Sequence, residues 1–105
     1  LLILIGAHFV ADYPLQGDFL SMAKNRAKPI LGVPWYQGLG AHASIHGLAV
    51  GVITGYWVLG VLETLAHALI DDAKCTGKIS YNVDQVLHIV CKVVWVGVVV
   101  YAGYT

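Results

Sequence analysis

Every histidine in this chain lies four residues from another histidine or from an aspartate, inside an otherwise apolar stretch. On an α-helix this spacing places both side chains on the same face, one turn apart. The pattern predicts helices that each carry a narrow polar stripe on an apolar surface. The four pairs are His8 with Asp12, His42 with His46, His67 with Asp71, and Asp84 with His88.

The composition indicates what surrounds these helices. Hydrophobic residues make up 58% of the 105 residues and charged residues only 11%, whereas soluble domains have about 45–50% and about 25%. We therefore expect the lipid bilayer to be the solvent, and residues 1–105 to form one integral membrane helical domain. Six basic and six acidic residues leave no net charge, which argues against a nucleic-acid partner because such a partner requires a basic surface.

Four apolar runs predict the helices of an all-α, four-transmembrane-helix bundle with short loops. The first run is expected to continue to about Met22 through a kink at Pro14. Residues upstream of the given sequence are expected to help it reach the ~20 residues of a bilayer span. The predicted runs are 1–13 with this extension, 40–56, 58–73 and 83–104, and 23–39 is predicted to be a surface loop.

The basic residues predict an orientation. They lie between the first and second helices and between the third and fourth, so the positive-inside rule places both loops in the cytoplasm. Because successive helices run in opposite directions, all four polar pairs are then expected at one depth near the cytoplasmic face. The Ala-His-x-x-x-Asp segments at residues 7–12 and 66–71 also suggest a two-fold internal repeat. The basic residues are Lys24, Arg26, Lys28, Lys74 and Lys78.

Imidazole and carboxylate groups gathered at one depth are candidate ligands for zinc, manganese or iron. They suffice for one ion with supporting partners, or for two ions. The alternative is a layer of hydrogen bonds between helices, which membrane bundles also use. The candidate metal ligands are His8, Asp12, His42, His46, His67, Asp71, Asp84 and His88.

A second polar layer is expected two helical turns deeper. Glu63 lies eight residues before Asp71, and Lys92 lies eight residues after Asp84. Because isolated charges inside a membrane are costly, we predict an ion pair between them. Gln16 and Gln85 are further candidates to hydrogen-bond the ligands.

The ordered motifs resemble a known family. Ala-His-Phe-Val-Ala-Asp-Tyr-Pro-Leu-Gln is followed by His-Ala-Ser-Ile-His, Ala-His-Ala-Leu-Ile-Asp and Val-Asp-Gln-Val-Leu-His. This order is similar to domain-of-unknown-function family 3307, small multi-spanning membrane proteins of bacteria and phages. The resemblance implies a polytopic protein of the bacterial inner membrane and no established activity. A more distant similarity is to inner-membrane proteins labelled metal-dependent hydrolases, and it extends only to His8, Asp12, His67 and Asp71.

Three functions remain open from the sequence. The first is a metal site, with hydrolysis of a lipid-linked ester or phosphoester as its extension, and whether the chain is an enzyme stays undecided. The second is a structural or assembly protein, such as a phage could encode, whose copies associate through Gly47, Gly51 and Gly55. The third is a proton or cation relay. A chain this small is expected to need a homo-oligomer or a membrane partner to enclose a substrate.

Overall fold

The computed structural model describes residues 1–13, 16–28, 30 and 32–103, and it confirms an all-α fold. The described residues form five α-helices and no strand. The α3 helix packs against α1, α2 and α4, and α5 packs against α4 and α1. The helices are α1 (Leu2–Asp12), α2 (Gly17–Ala23), α3 (Trp35–Thr54), α4 (Trp57–Cys75) and α5 (Tyr81–Gly103).

The prediction of one long first helix is wrong. The α1 helix ends at Asp12 and a separate short helix, α2, begins at Gly17. A proline disfavours helical conformation in the residue before it and clashes with the preceding turn, which accounts for an end two residues before position 14. The predicted kink at Pro14 lies outside the described residues. The predicted loop at 23–39 is also too long, because α3 already begins at Trp35.

The α3 and α4 helices form a tight antiparallel pair. Gly55, with φ of +75°, ends α3 in the left-handed conformation that glycine adopts readily. A Cβ atom on Gly47 would lie 2.6 Å from the Gly60 carbonyl oxygen, and one on Gly60 would lie 3.3 Å from the Gly51 Cα. Gly47 and Gly51, which suggested contacts between copies, therefore pack α3 against α4 within one chain.

The interior of the bundle is polar and its surface is apolar. In the described part of the chain, buried polar or charged residues outnumber buried hydrophobic ones, while large hydrophobic side chains such as Leu69 and Tyr101 are about three-quarters exposed. This reverses the arrangement of a soluble domain. The buried polar or charged residues are His8, Lys24, His42, His46, Glu63, His67, Asp71, Asp84, His88 and Lys92.

One end of the interior is closed by four hydrophobic side chains, which we call the apolar plug: Leu4, Val50, Leu59 and Trp95. Each plug residue lies one helical turn from a buried polar residue of the same helix, and both share one face. On α1, α3, α4 and α5, the interior-facing residues therefore change from apolar to polar at the same level of the bundle. They do so although successive helices alternate in direction.

Four membrane-spanning helices were predicted, and among the described residues only α5 is both long and apolar enough to span a membrane by itself. The α1 helix is apolar but shorter. The α3 and α4 helices have 20 and 19 residues, but their interior-facing imidazole and carboxylate groups lower their average hydropathy.

Candidate metal centre

The five imidazole rings form one layer across the bundle. The His67 ring, on α4, lies at its centre, stacked on His46 with centroids 3.7 Å apart and on His88 with centroids 4.1 Å apart. The His42 ring lies 4.9 Å from His67, and the His8 ring lies 4.9 Å from His88. The four-residue spacing and the alternating helix directions therefore bring side chains from four helices together.

The first group of candidate ligands surrounds Asp12, and we call it the aspartate position: Asp12, His42, His46 and His67. Their ligand atoms all lie within 4.8 Å of one another. The Asp12 Oδ1 atom lies 3.1 Å from His42 Nε2, 3.0 Å from His46 Nε2 and 3.9 Å from His67 Nε2. Ligands about 2.0–2.2 Å from a tetrahedral ion lie about 3.3–3.6 Å apart, so these three distances from Asp12 are close to the required spacing.

The second group, which we call the histidine position, consists of His8, His67 and His88. One ring nitrogen from each lies within 4.8 Å of one from each of the others. His67 belongs to both groups. Its ring is buried, and neither of its nitrogens has a hydrogen-bond partner among the described residues.

Gln85 connects the two groups. Its amide nitrogen donates to Asp12 Oδ2 at 3.1 Å and to Asp84 Oδ2 at 3.0 Å, and its Oε1 lies 3.1 Å from His8 Nε2. An ionised carboxylate can only accept, so both amide protons of Gln85 point to the two aspartates. The Oε1 atom then accepts a hydrogen bond from the N–H group at His8 Nε2, which fixes the tautomer of that ring.

Asp71 lies at the edge of the imidazole layer and is paired with a lysine. Lys24 Nζ lies 2.7 Å from Asp71 Oδ2 and also contacts Gln16 Oε1. Gln16 in turn donates to the backbone oxygen of Asp12 at 3.1 Å. The same Asp71 oxygen lies 3.5 Å from His42 Nε2. Asp71, predicted as a ligand, is thus placed between the candidate ligands and a buried cation.

Glu63 and Lys92 contact each other on the opposite side of the imidazole layer, where the sequence predicts an ion pair. The other oxygen of Glu63 accepts a hydrogen bond from Trp95 Nε1 at 2.8 Å. Glu63 Oε1 also lies 3.7 Å from His67 Nδ1. Both charges are almost completely shielded from solvent, so each depends on the other for compensation.

The charges of the interior do not balance. Asp71 is compensated by Lys24 and also lies 3.6 Å from the partly exposed Lys74, and Glu63 is compensated by Lys92, so two of the four carboxylates have a cationic partner. Asp12 and Asp84 contact imidazoles and Gln85 but no lysine or arginine among the described residues. With neutral imidazoles, two negative charges remain next to the five rings, and one divalent cation would neutralise them.

Asp12 lies nearest to the surface of all the candidate ligands, with 11% of its side chain exposed. Just beyond it, the Tyr13 and Tyr81 hydroxyl groups are hydrogen-bonded to each other. This bond raises the pKa of the Tyr13 phenol above its ordinary value. The pair links the end of α1 to the start of α5 at this end of the bundle.

Two residues of the site were missed by sequence reasoning. Lys24 was assigned to a surface loop, yet it is buried against Asp71. Trp95 was not singled out, although it lies three residues after Lys92 and so continues the stripe of Asp84, His88 and Lys92. That spacing was a usable signal for Trp95, whereas the burial of Lys24 depends on where α2 packs.

The fold and site define a class: an all-α bundle with a polar interior and a candidate His/Asp metal centre. The chain belongs to the family described as "Protein of unknown function (DUF3307)", whose model matches residues 1–103. This confirms the family that the sequence motifs indicate. No curated protein and no solved structure matches the chain.

Proposed function

We propose that this protein is a multi-pass membrane protein that binds one divalent transition-metal ion at the aspartate position. The metal-binding part of the proposal depends on a single observation: His67 is buried at the centre of five imidazoles with neither ring nitrogen hydrogen-bonded. A buried polar group without a partner is costly, and a bound ion would provide the missing partner.

The distribution of side chains supports a membrane environment. Soluble proteins rarely expose contiguous apolar surfaces larger than a few hundred Å², but here apolar side chains cover all the long helices. Only 17% of the apolar stretch of α5 is buried within the chain. Lipid would cover such a surface, while the polar groups that lipid cannot solvate face the interior.

Helix lengths support the same environment. With 19–23 residues each, α3, α4 and α5 are about 29–35 Å long, close to the ~30 Å thickness of the hydrocarbon core. The shorter α1 helix extends from the apolar plug to the imidazole layer. It therefore still places His8 and Asp12 beside the other candidate ligands. Exposed Arg26, Lys28 and Lys78 lie at the polar end, which we place at the cytoplasmic face of a bacterial inner membrane.

The donor set favours zinc, manganese or iron. Three imidazole nitrogens and one carboxylate oxygen suit these borderline and harder ions, and the aspartate position contains no thiolate. The two uncompensated carboxylates, Asp12 and Asp84, match the charge of one divalent ion. Asp71 contributes as a charge partner of Lys24, not as a ligand.

The geometry supports binding more directly than the alternatives. The three imidazole ligands are almost completely buried, so a lipid-linked ester has little access to them and we do not extend the proposal to hydrolysis. The apolar plug interrupts a polar path along the bundle, which disfavours conduction. The glycines that suggested a homo-oligomer are used within the chain.

Elemental analysis of detergent-purified protein, never exposed to chelators or a nickel column, tests the metal site. We expect one equivalent of zinc, manganese or iron per chain, lost in His67→Ala and bound more weakly in Asp12→Ala, which removes one ligand and one negative charge. Asp72→Ala is the matched control, because Asp72 is a carboxylate paired with Arg26 outside the interior, and it should retain the metal. Folded wild-type protein that takes up no added ion would refute the metal-binding proposal.

Cysteine labelling tests the membrane arrangement. In a Cys75→Ser/Cys91→Ser background, single cysteines replace Lys28, Lys78 or Tyr56. A membrane-impermeant maleimide should label positions 28 and 78 from one side of the membrane and position 56, in the α3–α4 turn, from the other. Equal labelling of all three from the same side would contradict a spanning bundle.

A further inference from the structure

We propose that the histidine position, formed by His8, His67 and His88, is a second coordination position for the same metal ion. This inference rests on the proposed function, because it concerns where an ion that enters the aspartate position can go next. His67 is common to both groups, so an ion could exchange its other ligands while it stays bound to this imidazole.

Each ring of the histidine position has a nitrogen to offer. Both nitrogens of His67 lack a hydrogen-bond partner in the described structure, as do His8 Nδ1 and His88 Nδ1. All three residues are about 1% exposed, so bulk water does not satisfy these atoms. Such unpaired nitrogens are costly in an interior that holds only protein.

The His8 ring is hydrogen-bonded through one nitrogen, as metal-bound histidines usually are. A ligating imidazole commonly donates its second N–H to a carboxylate or carbonyl group, which fixes the ring and its tautomer. Here His8 Nε2 is hydrogen-bonded to Gln85 Oε1 at 3.1 Å. His88 Nε2 lies 3.2 Å from Asp84 Oδ1, although that oxygen has no hydrogen-bond partner among the described residues. With the proton of His8 on Nε2, the lone pair of that ring is on Nδ1.

Charge limits the two positions to one ion at a time. Asp12 and Asp84 together supply two uncompensated negative charges, one beside each position. A single divalent ion neutralises both wherever it sits, whereas two ions would leave two positive charges in a low-dielectric interior, which is costly. The positions are therefore alternatives for one ion.

The two positions differ in chemistry. The aspartate position includes a carboxylate oxygen and lies nearer to the surface, while the histidine position offers only nitrogen. Carboxylate oxygen suits Mn²⁺, whereas imidazole suits Zn²⁺. Zinc should therefore occupy the histidine position more readily than manganese does.

Two double variants separate the positions, with Zn²⁺ added alone to metal-free protein in detergent. His42→Ala/His46→Ala removes two ligands of the aspartate position, and His8→Ala/His88→Ala removes two ligands of the histidine position. We expect one equivalent of zinc in the wild type and in both double variants. X-ray absorption should count three imidazoles in each variant, and His67→Ala should lose all zinc.

Four outcomes would overturn the inference. One is a folded His42→Ala/His46→Ala variant that binds no zinc, while His8→Ala/His88→Ala binds one equivalent. A second is two equivalents in the wild type, because the ions would then bind together. A third is full zinc binding by His67→Ala. The last is a wild type that binds no zinc. If it also binds no manganese or iron, the proposed function is refuted as well, whereas the first two outcomes leave a wild-type metal site in place.

Folding is checked by helical circular dichroism and size-exclusion chromatography. If the alanine variant does not fold, His42→Gln/His46→Gln takes its place, because glutamine retains hydrogen-bonding groups at both positions. Retained zinc binding in that variant supports the second position, and a folded variant without zinc overturns it.

Discussion

The two ends of the bundle interior differ in polarity: one is filled by charged and imidazole groups and the other by hydrophobic side chains. At one end, the chain packs layers of charged and imidazole groups, from Lys24 and Asp71 through the five rings to Glu63 and Lys92. At the other end, the apolar plug lies between the same four helices, with Cys91, Val96 and Val99 packed against it. On each of these helices, the plug residue and the nearest buried polar residue are one helical turn apart.

This difference teaches where the specificity of the fold resides. In the bilayer that we propose surrounds this bundle, apolar side chains gain little by leaving lipid for the interior, so plug residues would contribute mainly packing. Polar groups have no alternative partner in lipid, so each must find a specific neighbour within the chain. The polar end should therefore determine how the helices are arranged, and the following predictions test that difference from the largest effect to the smallest.

Truncation of the buried ion pair should be more destabilising than truncation of the plug one turn away on the same helix. Glu63→Ala leaves Lys92 buried without a countercharge, and we expect a loss of about 3–5 kcal/mol. Leu59→Ala removes packing only and should lose about 1–2 kcal/mol. Unfolding in mixed detergent and SDS, followed by circular dichroism, measures both. The double variant Glu63→Leu/Lys92→Met should recover most of the loss, and equal effects of the two single variants would remove the distinction between the ends.

The α3–α4 contact holds the imidazole layer together and should tolerate no added volume. A Cβ on Gly47 meets Thr64 Oγ1 at 1.8 Å and the Gly60 carbonyl oxygen at 2.6 Å, so Gly47→Ala forces the helices apart. We expect about 1–3 kcal/mol of destabilisation in the same unfolding assay. Gly97→Ala is the control, since no atom lies within 4 Å of its added Cβ, and a loss of similar size there would show that the contact is unimportant.

Gln85 should affect metal affinity more than it affects folding. Its amide orients Asp12, Asp84 and His8 together, and the loss of such an outer partner typically weakens metal binding about 10- to 100-fold. Isothermal titration with zinc measures the change in Gln85→Leu, with Asn82→Leu on the exposed side of α5 as the control. Unchanged affinity in folded Gln85→Leu would show that the ligands are positioned without it.

An ion pair outside the interior should contribute least to the stability of the fold. Arg26 Nε lies 2.9 Å from Asp72 Oδ1, but 41% of the Arg26 side chain is exposed. Water and salt screen such pairs, so Arg26→Ala should change stability by less than about 1 kcal/mol. Unfolding at low and high salt provides the comparison, and a loss as large as that of Glu63→Ala would show that burial is not the cause of the difference.

The arrangement of the imidazole layer could be predicted because it follows from two simple rules. A spacing of four residues fixes the helix face, and alternating helix directions fix the depth, so His8, His67 and His88 meet as expected. The partners of these residues were harder to predict. The contact between Glu63 and Lys92 followed from the cost of isolated charges, but Lys24 reaches Asp71 only because a separate helix, α2, packs against α3.

The contacts made by the glycines were also only partly predictable from the sequence. A four-residue glycine spacing predicts that a helix can approach another closely, but it does not say whether that helix belongs to the same chain. In the structure, Gly47 and Gly51 of α3 pack against α4, whereas Gly55 has a different role as the left-handed C-cap of α3. Helix ends were also poorly predicted, since Trp35 lies in a segment whose prolines and glycines indicated a loop.

Trp95 belongs to both ends of the interior. Its ring packs among the plug side chains while its indole nitrogen is bonded to Glu63. Any tilt of α5 that opened the plug to water would also stretch this bond and expose the Glu63–Lys92 pair. Entry of water and loss of charge compensation would then occur in one event, because the same side chain packs in the plug and bonds to the buried ion pair.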